Sequence, residues 1–356
     1  MNYEDSTISW SPEHLEAGSV ILSDGAVSGL DYHREGRFVV MATKDSSLHL
    51  IDSLNGVEKK KMYTRSHGIG EVQYTHHESC VLLSSDVARD RRFCDIRYLC
   101  MYDNRYLRYY KGHTDKVTSL SMSPIEDYFL STSNDKSVRL WNINSPTSLA
   151  QMNLPDYVTN PVVRYEGEGL VFGVQYQDYR TQGQSLKLFD ARAIEKGPFQ
   201  TISPKYEVLK NAVTKGMMKA GGGSAPTRGQ LAKAMQAQWT DFAFSPDGLK
   251  ILINTKSDLL LILDGFEETV EPVAICHRKN ETNSQLGACF SADASCVIAG
   301  NDNNEVQIFD RGTGELRNTL SGHIAPVGAV ACSPLYDVVA TGCLNTVLWI
   351  RQPAPQ

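Results

Sequence analysis

What this 356-residue chain lacks already excludes most chemistry. No apolar run approaches the ~20 residues of a membrane-spanning helix, and the longest, Leu259-Leu-Leu-Ile-Leu263, has the length of a buried strand. Eight cysteines contain no Cys-x-x-Cys pair, so neither a zinc ribbon nor a dithiol redox motif is expected, and no metal. They read instead as reduced core thiols of an intracellular protein. There is no Gly-Lys-Ser/Thr phosphate loop, no Gly-x-Ser-x-Gly elbow and no His-Glu-x-x-His pair. Gly68-Ile-Gly70 lacks the third glycine of a dinucleotide loop, because position 73 is Gln73. No cofactor and no enzymatic activity are expected. The amino terminus is acidic and has no signal-peptide core, and a net charge of -6 argues against direct nucleic-acid binding.

What is present is repetition. Lys111-Gly-His113 is followed by alternating apolar residues, a tight turn at Asp135 and a strand closed by Trp141-Asn142. That is the pattern of one blade of a WD-type β-propeller, a unit that cannot bury its own faces and must recur around a ring. Strand-closing dipeptides at Ile51-Asp52, Tyr102-Asp103, Trp141-Asn142, Phe189-Asp190, Leu263-Asp264, Phe309-Asp310 and Trp349-Ile350 are spaced 51, 39, 48, 74, 46 and 40 residues apart. Most fit a four-stranded blade of roughly 40–50 residues, and the spacing of 74 signals an insertion between the fourth and fifth units. The expectation is an all-β, seven-bladed WD40 propeller over 16–352, after an N-terminal tail at 1–15. Only six residues follow Ile350, so the last blade has no fourth strand of its own. Glu16 to Ser23 has strand composition, and is expected to supply that strand and remove the open edge.

In the third blade His113, a hydroxyl from Ser131 or Ser133, Asp135 and Trp141 are placed to form a buried hydrogen-bonded chain. Each such bond contributes only ~1 kcal/mol net, but an unpaired buried partner costs ~1–3 kcal/mol. His323, Thr341, Asn345 and Trp349 repeat it with an uncharged Asn. A catalytic His-Asp pair is the alternative, and the recurrence of the spacing favours scaffold. His76-His77 falls where a turn between first and second strands is expected.

Function is therefore sought on surfaces. In a propeller the second-to-third-strand turns and the loops between blades share one face. Asp86-Val-Ala-Arg-Asp-Arg-Arg-Phe93 places Arg89, Arg91 and Arg92 there, and Lys44, Lys116 and Lys136 fall on neighbouring loops by the same register. Such a crescent is a candidate site for phosphate or an acidic peptide, against the alternative of solvated loop charge partly neutralised by Asp86, Asp90 and Asp95. The insertion, 205–238, holds six Lys/Arg against one Glu, or about +5. Its Gly221-Gly-Gly-Ser-Ala-Pro226 centre is expected to be flexible, and Thr227 to Gln238 could form a short helix. Lys59-Lys-Lys61 reads as a solvated outer strand rather than an import signal.

The run from Ile96 to Pro124, with Ser137-Val-Arg-Leu-Trp-Asn-Ile-Asn-Ser-Pro146, Gly169-Leu-Val-Phe172, Leu186-Lys-Leu-Phe-Asp-Ala-Arg192 and Glu195-Lys-Gly-Pro-Phe-Gln-Thr201, resembles the WD repeat-containing protein 82 family, called Swd-two in yeasts. The closing Cys343-Leu-Asn-Thr-Val-Leu-Trp349 fits that family's atypical last blade. The resemblance is strong over about 96–203 and absent in the insertion. It implies a nuclear, non-catalytic adaptor in COMPASS-type complexes that methylate histone H3 at lysine four through a SET-domain methyltransferase. It also implies association with a protein phosphatase-one regulatory subunit in transcription termination and RNA 3'-end processing, and recruitment to the phosphorylated RNA polymerase II tail. A substrate receptor of a cullin-type ubiquitin ligase is the other reading, since Phe189-Asp-Ala-Arg192 resembles the Trp-Asp-x-Arg signature of such receptors.

Overall fold

In the computed structural model, which describes residues 14–64, 67–86, 94–203, 206–220, 225–235, 238–265 and 271–351, the strands form seven four-stranded antiparallel sheets. They are the blades of a propeller, numbered here from the sheet that begins at Val27. Blade 3 is typical: Val117–Met122 lines the central channel, Tyr128–Ser133 and Ser137–Asn142 form the middle, and Ser148–Asn153 is the outer edge. Second strands such as Phe38–Thr43, Cys80–Ser84 and Cys296–Gly300 are buried almost throughout, because both of their faces are covered by neighbouring blades. Outer strands such as Val57–Tyr63, which carries Lys59, Lys60 and Lys61, alternate toward solvent.

The ring closes as its sequence requires. Leu15–Leu22 pairs antiparallel with Asn345–Arg351, from Leu15↔Arg351 to Leu22↔Asn345, and completes blade 7. A register shift between Ala17 and Ser19 leaves Gly18 against Ile350, where an added Cβ would lie 2.6 Å from that side chain. Only glycine fits the bulge without displacing Ile350. Leu15 packs with Val306, Leu320 and Trp349, while Ile21 joins Val27, Met41 and Leu348. One eight-residue strand thus ties blade 7 to both of its neighbours.

Two local expectations need correction. Tyr102-Asp103 does not close a strand: Val81 pairs with Leu99 where blade 3 pairs Phe129 with Trp141, and Tyr102 lies in the following turn, 82% exposed. Blade 2 has no aromatic at the buried position, so the nearest aromatic-acidic pair drew the register three residues too far. The insertion, for which only its second half suggested a helix, forms two: α1 (Tyr206–Ala220) and α2 (Arg228–Met235). Leu209, Val213 and Met217 recur every fourth residue and pack α1 on Leu259 and Ile275 of blade 5, leaving Val213 1% exposed. Thr227 and Gln230 cap α2 reciprocally, Gln230 N donating to Thr227 Oγ1 (3.3 Å) and Thr227 N to Gln230 Oε1 (2.9 Å). The glycines at 221–223 lie outside the described residues.

On the face opposite the inter-blade loops, the turns between first and second strands clasp one another. His33 Nε2 donates to His76 O (3.1 Å), His76 Nε2 to Ser123 O (2.8 Å) and Ser333 Oγ to Gly36 O (2.9 Å). His76 is therefore a structural donor in the turn expected for it.

Candidate functional site

Beneath the loop face, blade 3 holds the expected polar chain. His113 Nδ1 lies 2.8 Å from Asp135 Oδ2, and His113 Nε2 lies 2.7 Å from Ser131 Oγ, which also accepts from Trp141 Nε1 at 2.8 Å. An ionised carboxylate only accepts, so Nδ1 carries the proton and Ser131 donates to Nε2. Thr114 N, Ser137 N and Ser137 Oγ donate to the same carboxylate. Burial pushes the Asp135 carboxyl up, but the hydrogen bonds from His113, Ser137 and the Thr114 amide together hold it well below the usual carboxylate range. Ser131, His113 and Asp135 have the connectivity of a catalytic triad, yet Ser131 is fully buried and its hydroxyl is capped by the indole. No substrate atom reaches it, so the arrangement is scaffold.

Blade 7 carries a looser copy. His323 Nε2 lies 2.7 Å from Thr341 Oγ1, which accepts from Trp349 Nε1 at 2.6 Å. On the other side of the ring His323 Nδ1 faces Asn345 Oδ1 at 3.3 Å and Cys343 Sγ at 3.2 Å.

These chains brace the face on which Lys44, Lys116 and Lys136 stand. Lys44 N donates to Ala26 O, Asn134 N to Lys116 O and Leu154 N to Lys136 O, so second-to-third-strand turns and inter-blade loops are stitched together there. Lys44 and Lys116 are exposed, whereas Lys136 is half-buried and donates its Nζ to Asp156 O. Lys136 also adopts φ 64°, the left-handed conformation that Ser46 and Asn304 take at the same turn position in blades 1 and 6. Arg89, Arg91 and Arg92 lie outside the described residues; the strands that bracket their loop end at Ser84 and begin at Ile96 on this face.

Two buried arginines escaped the sequence reading. Arg97 Nη2 donates to Gly68 O (2.8 Å) and Ser84 O (3.1 Å), and its Nη1 to Tyr106 OH (3.1 Å). Arg278 Nη2 donates to Thr255 O (2.6 Å) and Asn254 Oδ1 (2.8 Å), and burial pushes its guanidinium down to about 10. Both rivet loop carbonyls beneath the face. An arginine within a strand, like Arg97, or just past one, like Arg278, gives no sequence signal of burial.

The channel was also unforeseen. Tyr74 N (2.6 Å) and Gln73 Nε2 (2.8 Å) donate to Asp31 Oδ2, while Arg164 bridges Ser119 Oγ (2.6 Å) and Asp241 Oδ2 (2.9 Å). Enclosure in the channel pushes the Asp31 carboxyl up to about 7 against those hydrogen bonds and the Arg164 charge, although its side chain still touches channel solvent. No group of three or more metal-ligating side chains occurs among the described residues. In blade 4, Arg192 closes on Asp190 through Nε–Oδ1 (3.2 Å) and Nη2–Oδ2 (3.3 Å), so the guanidinium of the Trp-Asp-x-Arg-like tetrapeptide is already paired.

Comparison with known proteins gives the family context. The WD domain, G-beta repeat family matches residues 104–142. WD repeat-containing protein 82 of Drosophila melanogaster is 30% identical over 325 residues, covering 91% of this chain and 90% of that protein. The Set1 complex component swd2 of Schizosaccharomyces pombe is 26% identical over 84% of this chain and 75% of its own length. The COMPASS component SWD2 of Saccharomyces cerevisiae is 25% identical, over 86% and 82% respectively.

Proposed function

Since the chain belongs to the WD repeat-containing protein 82 family, we propose that it is a non-catalytic nuclear adaptor of a COMPASS-type assembly. It joins a SET-domain histone H3 lysine-4 methyltransferase, and protein phosphatase-one complexes acting in termination and RNA 3'-end processing, to transcribing RNA polymerase II. The observation that carries this reading is likeness to Set1 and COMPASS components over 84% and 86% of the chain, rather than over one repeat. The Ser131–His113–Asp135 group is sealed under an indole, which fits a protein that docks and does not turn over substrate.

The loop face is the proposed recruitment surface. Lys44 and Lys116 stand in solvent there, and Arg89, Arg91 and Arg92 belong to the loop that joins strands on the same face. Cations so placed suit the phosphates of the polymerase tail through charge-assisted hydrogen bonds. Reversing Arg89, Arg91 and Arg92 together should abolish binding of a serine-phosphorylated polymerase-tail peptide and leave thermal unfolding unchanged. Unaltered binding would remove the phosphate-reading role. Tagged chain from nuclear extract should recover methyltransferase and phosphatase subunits, and recovery of a ligase adaptor in their place would overturn the adaptor reading.

A further inference from the structure

The face opposite the recruitment surface carries a cleft of about 410 Å³ at the edge of blade 4. The chain leaves the strand Gln184–Asp190, makes one 3-10 turn at Ile194–Lys196 and re-enters the sheet at Gln200–Ile202. Leu170, from the turn before Val171–Asp178, forms the other wall. Phe199 and Leu170 are 53% and 43% exposed, so two large apolar side chains meet solvent on one opening. They are held there by backbone bonds, since Phe199 N donates to Leu188 O (3.0 Å) and Ala191 N to Leu170 O (2.9 Å). At Gly197 an added Cβ would meet nothing within 4 Å, so the mouth beside Phe199 is open.

The charges around this opening are unequal. Arg192 is taken up by Asp190, whereas Lys196 stands exposed and acts on that carboxylate only through its charge, with no ion pair among the described residues. The lining therefore carries two cations against one carboxylate, on a chain whose net charge is -6. The volume lies at the lower end of the ~300–1,000 Å³ typical of ligand clefts. Its two apolar rims and single unpaired cation offer no convergent polar set to orient a small molecule. A peptide side chain with a neighbouring acid matches what is there.

We propose that this cleft is a second docking site, taking an extended partner segment that inserts one aromatic or large aliphatic side chain between Leu170 and Phe199 and sets a carboxylate against Lys196. Because it lies on the face away from Lys44, Lys116 and Lys136, both surfaces can be occupied at once, as a bridging protein requires. The proposal does not depend on which partner the loop face receives.

Selection of a random-peptide display library on the full chain tests it. The enriched peptides should pair an aromatic, Leu or Met with an Asp or Glu at fixed spacing. In fluorescence polarisation Phe199→Ser and Leu170→Ser should each weaken such a peptide about tenfold or more. Lys196→Glu should weaken it too, and exchanging the peptide's acid for lysine should restore binding to that variant. Lys44→Glu with Lys116→Glu should leave the affinity unchanged, which separates this site from the recruitment surface. All three cleft side chains are exposed, so melting temperatures should stay at the wild-type value. The proposal is overturned if no apolar-acidic pattern is enriched, or if enriched peptides bind Phe199→Ser and Lys196→Glu as tightly as the wild type.

Discussion

Blades 3 and 7 are built from the same parts and stabilised by different means. Both run imidazole, hydroxyl and indole in a chain, with His–hydroxyl contacts of 2.7 Å in each. In blade 3 the turn from Ser133 to Ser137 has room for a carboxylate, and Asp135 accepts from four donors on His113, Thr114 and Ser137. In blade 7 the indole follows its hydroxyl by eight residues instead of ten, and the shorter turn offers His323 only Asn345 and Cys343, at 3.3 and 3.2 Å. Blade 7 compensates with a strand from the other end of the chain, which brings Leu15 and Ile21 into two separate core clusters. A blade inside the ring can rely on local polar bonds. The blade where the ring closes relies on distant apolar ones.

Removing residues through Leu22 should have the largest effect. Burial of Leu15 and Ile21 alone contributes about 3–6 kcal/mol, and their loss also bares the edge of Asn345–Arg351. The truncated chain should melt far lower and aggregate in size-exclusion chromatography; a monomer with the wild-type melting temperature would refute closure by this strand.

Next in size, Asp135→Ala should cost about 2–3 kcal/mol in urea unfolding, against about 1 kcal/mol for Asn345→Ala. Equal losses would erase the distinction between the blades. The difference also has a pH signature. The Asp135 carboxyl is depressed in the folded protein, so its contribution is fully present above the unfolded value near 4 and fades as pH falls toward the depressed one. Wild type should therefore lose stability in acid more steeply than Asp135→Ala.

This contrast also explains what the sequence made legible. The ring, its count and its closure were readable because strand-closing dipeptides such as Trp141-Asn142, Phe189-Asp190 and Phe309-Asp310 mark successive blades and because Glu16 to Ser23 has strand composition outside the first repeat. Blade 2 misled because Leu99, at the equivalent buried position, looks like any strand leucine. Helix α1 was missed because its Leu209, Val213 and Met217 stripe sits in a basic, glycine-flanked stretch that composition alone assigns to a loop. The lysines of the loop face were legible from register, since backbone bonds fix where turns emerge. The channel cluster of Asp31, Gln73, Arg164 and Asp241 was not, because its members come from four different blades and meet only when the blades pack side by side around the channel.

The smallest effect sharpens the comparison most. Burial raises the Cys343 thiol, but the His323 hydrogen bond, the Asn345 and Ile324 amides and the His323 charge bring it down to about 6. On losing the proton it donates to Asn345 Oδ1 (2.8 Å), Cys343 takes part of the role that the Asp135 carboxylate has in blade 3. Its contribution is present above the unfolded thiol value near 9 and is lost as pH falls through 6. Asn345→Asp would place a second negative charge beside the sulfur and give His323 the carboxylate partner it lacks. Thiolate ultraviolet absorbance, taken as wild type minus Cys343→Ser, should titrate near pH 6, and on the Asn345→Asp background the midpoint should move to higher pH. Stability at neutral pH should change by less than about 1 kcal/mol, because one anion replaces another. If the midpoint stays put in Asn345→Asp, the sulfur is not coupled to this network, and blade 7 depends on its borrowed strand alone.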